Sequence, residues 1–340
     1  MRKLEFILRR LLSSFLVLIG VSIMTFFIAR VVPSNAAELY IGPKARPDDI
    51  ARVSKQLGLD KPLPVQYAFY MNEMLHGDLG TSLGTKRPVL TEITGRLPAT
   101  LELLLTGMLL AVLVGVPLGV LSARWQSKPP DIAVRILSIM GVSMPAFFLG
   151  LILQIFFFRD LHLLPLAGRV TPDLRFTSPI TELTGFYLLD TLLTRNWVAF
   201  KDVFMHILLP AVTLAAYPIG LIARMTRASM LEVLEQDYIR TARAYGVRDG
   251  VIIYLYALKN AIGPTLTVVG ITFAYALVGT FFVEVIFNWP GLGQFTVRSL
   301  LGLDYPAIMG ITLFGAIGYV LINLIVDLLQ AWIDPRISLK

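Results

Sequence analysis

The chain contains no cysteine. Disulfides, thiolate nucleophiles and cysteine-held clusters are therefore excluded. Charged residues are also scarce, at 16%, where a soluble domain ordinarily carries about a quarter. So few charges cannot coat a soluble globule of 340 residues. The sequence has no G-x-x-x-x-G-K-[ST] phosphate loop, so it does not bind nucleotide by that device. Only three histidines occur, His76, His162 and His206. They lie far apart, and no pair has the spacing of metal ligands on one element. No nucleophile–base–orienter set surrounds Ser143, so no catalytic residue and no metal site are assigned. Basic residues do not interleave with aromatics as nucleic-acid binding would require.

What is abundant is apolar length. Six runs approach the roughly 20 residues needed to cross a bilayer as a helix: Leu8–Val32, Thr100–Ala123, Arg135–Phe158, Phe204–Ala223, Thr265–Phe287 and Ala307–Leu329. None alternates as a barrel strand does. The first is too long for the apolar core of a cleaved signal and reads as an anchor. The expected fold is an all-α integral membrane protein of six transmembrane helices. Arg2, Lys3, Arg9 and Arg10 precede the first; Arg124, Lys128 and Arg135 follow the second; Arg224, Arg227, Arg240, Arg243, Arg248 and Lys259 follow the fourth. This bias places those segments, and both termini, in the cytoplasm.

The expected divisions are an anchor at 1–32, an outer subdomain at 33–98, a transmembrane core at 99–330 and a cytoplasmic tail at 331–340. The core includes a polar loop at 224–264. In the outer subdomain, Ile50, Val53 and Leu57 recur at helical spacing before Gly58, and a second helix runs from Pro64 to Gly77. It serves either as a docking surface or as a cover that steadies the first helix against the second. A second outer loop, Arg159 to Asp202, reads as irregular with one short helix near Phe186–Leu193.

Pro145, mid-way along the third run, removes a helix hydrogen bond, and Ser143 is placed to re-satisfy the freed carbonyls. Gly115 and Gly119 allow close helix approach, read as packing within the subunit. Glu102 is near an outer helix end, within reach of headgroups. Glu284 is deeper and precedes Asn288-Trp289-Pro290-Gly291-Leu292-Gly293, a turn that ends the fifth helix. Asn323 and Asp327 share one face of the sixth helix, expected to point inward. Ser143, Pro145, Glu284, Trp289, Pro290, Gly291, Asn323 and Asp327 are the candidate gate and pathway residues.

The loop at 224–264 holds Asp237-Tyr238-Ile239-Arg240-Thr241-Ala242-Arg243-Ala244-Tyr245-Gly246, then Asn260 and Pro264, where the next apolar helix is expected to begin. Its polar face mixes both signs, unlike the lysine-rich face of a helix lying on lipid. Gly246 permits a turn with positive φ. A charged helix–turn–helix between membrane spans needs a soluble partner.

This pattern resembles the EAA loop of ABC-importer permeases, with Ala242, Ala244, Gly246 and Pro264 in the motif positions. The resemblance extends along nearly the whole chain. It includes Leu57-Gly58-Leu59-Asp60-Lys61-Pro62, Gly77-Asp78-Leu79-Gly80, Pro98-Ala99-Thr100-Leu101-Glu102-Leu103, the Glu284–Gly293 segment and Asp334-Pro335-Arg336. In this order they are similar to the first permease subunit of the dipeptide/oligopeptide/nickel subfamily. The pattern is broken at Pro33-Ser34-Asn35-Ala36, at Tyr245, at Tyr256 and at Gly263. The resemblance implies a multi-pass permease of a bacterial inner membrane that imports dipeptides or short oligopeptides. It implies a second homologous permease subunit, two ATP-binding subunits that hold ATP and Mg, and a periplasmic or lipid-anchored binding protein, besides membrane lipids. No cofactor is expected on this chain. Asp237, Tyr238, Arg240, Thr241, Ala242, Arg243, Ala244, Gly246, Asn260 and Pro264 would form the ATPase-coupling surface. The alternative, a stand-alone secondary transporter or channel, would show repeat symmetry or a dense polar lining.

Overall fold

The computed structural model describes residues 2–31, 46, 48, 52, 54, 55 and 60–333, the side chains of 2–11, 28–31, 278 and 326–333 excepted. The helix expected from Ile50 to Leu57, the Pro33–Ala36 segment, the Asp334-Pro335-Arg336 tail and the Asp327 side chain lie outside that description. The described chain is helical, with one isolated bridge between Thr81 and Pro88. The principal helices are α1 (Arg2–Val31), α2 (Leu63–Leu75), α3 (Val89–Arg124), α4 (Pro129–Ser143), α5 (Ala146–Leu153), α6 (Tyr187–Leu193), α7 (Trp197–Leu234), α8 (Asp237–Ala244), α9 (Lys259–Ile286), α10 (Leu292–Leu301) and α11 (Tyr305–Ile333).

Four segments are long and apolar enough to cross a membrane: Val89–Arg124, Trp197–Leu234, Asp249–Leu277 and Tyr305–Ile325. A fifth is broken. The third apolar run splits into α4 and α5, bent by 110°. Met144 is extended there, and Pro145 starts the new helix. The expected kink is thus a full interruption, because Pro145 has no N–H to continue the ladder. The Ser143 hydroxyl makes no hydrogen bond among the described residues. The fifth expected helix begins before Pro264, which lies inside α9. Asp249–Val251 and a π-helical segment, Ile252–Leu258, lead into it without a break.

The chain falls into two compact units. One comprises Met1–Leu97 with Gln294–Leu324. In it α2 packs its Tyr67 and Tyr70 against Phe26 of α1, with ring centroids 5.3 and 5.8 Å apart. Tyr305 and Met309 of α11 complete that cluster. The Asp304 carboxylate accepts from the Ser82 hydroxyl at 2.5 Å and the Gly84 amide at 3.0 Å.

The second unit comprises Pro98–Gly293 with Ile325–Lys340. Glycines set its helix packing. A Cβ at Gly107 would meet Leu214, one at Gly115 would meet Ile222 and one at Gly119 would meet Thr226. These contacts advance in step along α3 and α7, so the two helices run in the same direction, and the Gly115–Gly119 pair serves packing within the chain. The α4 contacts run the opposite way: Asp131 with Arg227, Ser138 with Gly220, Gly141 with Ala216. Helix α9 also opposes α7, with Thr265 beside Thr226 and Gly279 beside Leu214. The broken pair begins at the α8 end, where Asp131 meets Arg227. At the opposite end Gln154 donates to the Leu166 and Ile286 carbonyls. It traverses the bundle rather than doubling back.

Candidate functional site

Three places bring the sequence candidates together. The first lies where α3 and α9 meet, opposite the α8 end. Glu284 is fully buried. Its carboxylate accepts from the Thr100 hydroxyl at 2.6 Å and the Gly293 amide at 2.6 Å. Thr100 accepts in turn from the Leu292 amide at 2.8 Å. The indole of Trp289, also buried, donates to the Ala99 carbonyl at 2.8 Å. The chain reverses through Asn288, whose φ of +47° suits asparagine's tolerance for left-handed backbone. Pro290 is exposed in the turn, and a Cβ on Gly291 would fall within the Glu284 carboxylate. The two motif segments Pro98–Leu103 and Glu284–Gly293 thus interlock.

Glu102 is not at a headgroup surface. It is buried and receives Arg169 from the loop between Arg159 and Asp202, Nε at 3.0 Å and a terminal nitrogen at 2.5 Å. Its other oxygen accepts from the Leu188 amide at 2.7 Å. Burying a carboxylate requires such a partner. Arg169 also donates to the Gly185 carbonyl and stacks on the Tyr187 ring, 3.6 Å from its centre. Asp190, in α6, binds the same loop through the Thr184 hydroxyl at 2.6 Å and the Thr184 and Gly185 amides at 2.9 and 3.0 Å. Burial alone would raise the Asp190 carboxyl, but these hydrogen bonds outweigh it and hold it below the usual carboxylate range. Burial and the Glu182 carboxylate push the Tyr187 phenol up to about 12.

The second place is a cavity of about 360 Å³ beside the break. Ser143 and Pro145 line it, facing Thr213, Tyr217 and Tyr275. It is mainly apolar with a few hydroxyls, the mixture that suits a small organic solute. Asn323 is half-buried in the other compact unit.

The third is α8. Ile239 is fully buried and joins Val120, Met230, Ile252 and Ala257 in one apolar cluster. The Asn260 amide donates to the Tyr238 hydroxyl at 3.1 Å and the Tyr256 carbonyl at 2.7 Å. The helix closes with Gly246 amide to Arg243 carbonyl and Val247 amide to Ala242 carbonyl, the Schellman pattern. Gly246 has φ +72°, and a Cβ there would meet nothing within 4 Å. Asp237, Arg240, Thr241, Arg243 and Ala244 face solvent, and Tyr245 is 84% exposed. Ala242 sits lower on the helix. It is half-buried against the cluster under α8, because it lies nearly a full turn from Ile239 on the same face.

Two buried pairs escaped the sequence reading: Glu102–Arg169 and Asp131–Arg227. Asp131 is fully buried and takes Arg227 Nε at 2.7 Å and a terminal nitrogen at 2.9 Å, plus the Ser122 hydroxyl at 2.5 Å. An intramembrane charge is a signal in itself; the partner is not, since each pair spans tens of residues. Among the described residues there is no group of three or more metal-ligating side chains.

The arrangement matches known proteins throughout its length. Residues 115–339 match the family described as binding-protein-dependent transport system inner membrane component, and residues 3–104 match that system's N-terminal membrane component. The chain is 47% identical over 323 residues to a probable D,D-dipeptide transport system permease protein of Escherichia coli K12, covering 95% of this chain and 94% of that protein. It is 40% identical to the dipeptide transport system permease protein of the same organism, covering 99% of each. It is 38% identical to a glutathione transport system permease protein of Salmonella choleraesuis, covering 99% of this chain and all of that one. Among solved structures, the inward-facing MetNI methionine ABC transporter shares the fold at TM-score 0.51 and 16% identity, covering 69% of this chain and 93% of that one.

Proposed function

The chain belongs to the family of binding-protein-dependent transport system inner membrane components, and from that membership we propose that it is a dipeptide or short-oligopeptide permease subunit of an ATP-driven importer. The names of its relatives support the substrate class. The observation that carries the coupling role is α8: a helix pinned by Ile239 whose solvent face is rich in charge and aromatic surface. Asp237, Tyr238, Arg240, Thr241, Arg243, Ala244, Gly246, Asn260 and Pro264 would seat in an ATP-binding subunit, with Ala242 half-buried at the edge of that surface. Two such subunits would bind ATP and Mg. A second homologous permease and a periplasmic or lipid-anchored binding protein would complete the complex.

In this reading six helices cross the membrane with both termini cytoplasmic. The common direction of α3 and α7, with a broken helix returning between them, supports alternate crossings for these three. The divisions would be the anchor at 1–32, the outer subdomain at 33–98, the core at 99–330 and the tail at 331–340. Movement of α8 would rock the bundle. The break at Ser143–Pro145 and the Glu284–Gly291 turn would then admit peptide to the cavity beside the break. Asn323 and Asp327 would be polar positions of the sixth span.

The test is purification of the chain with its neighbours and reconstitution. ATP-binding subunits should co-elute, and dipeptide uptake should require ATP and the binding protein. Uptake by the chain alone would favour a secondary transporter.

A further inference from the structure

A second cavity, of about 410 Å³, opens in the cleft between α4 and α7. It lies toward the α8 end. Three arginines line it, Arg135, Arg224 and Arg227. Arg227 is committed to Asp131 by two hydrogen bonds. Asp131 is itself saturated by Ser122 and the Ser127 amide at 2.9 Å. Arg135 and Arg224 are different. Both are exposed, and among the described residues neither has a hydrogen bond or ion pair. The cavity therefore carries two uncompensated positive charges against largely apolar walls.

Position adds meaning to the charge. Arg224 follows the apolar stretch Phe204–Ala223 on α7, and Arg135 opens the apolar stretch of α4. Tyr217 and Val142, which line the cavity at the break, lie about two turns away on the same helix faces. A solute leaving the central cavity along this cleft would next meet the two arginines. A planar guanidinium with free donors is matched to a carboxylate, which it can bind through two parallel hydrogen bonds. Peptides differ in side chain, but each unmodified one ends in a carboxylate. A sequence-independent handle is what a permease for varied peptides requires.

We propose that Arg135 and Arg224 form a carboxylate station at the α8 end of the path, holding the C-terminus of a transported peptide as it leaves the central cavity. This rests on the peptide-permease reading above. Ser138, which also lines the cavity, adds a hydroxyl that fits a hydrated solute end in transit.

The assembled complex without binding protein, labelled by a diazirine-bearing dipeptide and by its C-terminal amide, provides the test. The free acid should label the wild-type cleft about tenfold more than the amide, the difference of one charge-assisted contact. The Arg135→Gln, Arg224→Gln double variant should label with both equally, at the amide's level, while still eluting as an intact complex. Arg135→Lys, Arg224→Lys should recover part of the preference. Equal labelling of the wild type by acid and amide would overturn the station. So would a double variant that keeps its preference but loses bound anionic phospholipid in native mass spectrometry, since the site would then hold a lipid phosphate. A wild-type complex that imports no peptide at all would overturn the peptide reading itself, and the station with it.

Discussion

Thr100 and Glu284 lie 184 residues apart in the chain, and their side chains share a hydrogen bond of 2.6 Å in the buried end of the bundle. The same carboxylate receives the Gly293 amide, so one acidic side chain ties the start of the core part of α3 to the turn that follows α9.

Glu284→Gln should therefore lower thermal stability as well as uptake. The amide group it introduces would oppose the Thr100 hydroxyl or the Gly293 N–H, at a cost of about 1–3 kcal/mol for the donor left unmatched. Gly291→Ala should act in the same direction, because its methyl would overlap the Glu284 carboxylate. Thermal midpoints of the detergent-solubilised complex, with uptake per folded transporter, measure both effects. A wild-type midpoint for both variants would mean that this closed network is not part of the resting state.

Gly246 separates conformational cost from steric cost. Its φ is positive and its Cβ direction is empty. A left-handed L-residue costs roughly 1–2 kcal/mol there. Gly246→Ala should be mild, Gly246→Asn milder, and Gly246→Val severe enough to loosen the end of α8. Membrane insertion should remain normal for all three. Co-purification of ATP-binding subunits and coupling of hydrolysis to uptake should fall in the order Asn, Ala, Val. Wild-type coupling in Gly246→Val would remove α8 from the coupling role.

The loop between Arg159 and Asp202 should be acid-sensitive. Asp190 is held below the usual carboxylate range, so its stabilising contribution is complete above the unfolded value of about 4 and is lost as pH falls through its lowered folded value. Asp190→Asn should remove that contribution at neutral pH and flatten the acid limb. Protease sensitivity of the loop between Arg159 and Asp202, followed from pH 7 downward, measures it. A variant with an unchanged acid profile would exclude Asp190 as the group responsible.

Reporter fusions test the arrangement across the membrane. Fusions at Gln126 and Gly250 should report the cytoplasm, and those at Gly77 and Gly185 the opposite side. The reverse pattern would invert the topology and detach α8 from any cytoplasmic partner.

Much of this was legible in residue order because the signals are local. Apolar length marked four spans and the broken fifth, Pro145 marked the break, Gly246 marked the end of α8, and Trp289-Pro290-Gly291 marked the turn after α9. The missed features have no local signature. Arg227 read as a loop charge, yet it belongs to α7 and faces Asp131 across 96 residues. Glu102 read as a residue within reach of headgroups because Arg169, 67 residues on, supplies the compensation. The helix through Pro264 was hidden because a proline usually marks a start. The π-helical segment Ile252–Leu258 has no periodicity that separates it from α-helix in sequence.

The in-step glycine contacts between α3 and α7 also constrain how the chain can diverge. One residue inserted between Gly107 and Gly115 would turn every later position of α3 by about 100°. Side chains would then face Ile222 and Thr226, where a single methyl already lacks space. A matching insertion in α7 would restore the pairing there but would shift Arg227 from Asp131 and Gly220 from Ser138. The shared stretch of three helices therefore acts as a common gauge. Length changes are tolerated in the loops, whereas within the gauge the helices can be lengthened only together.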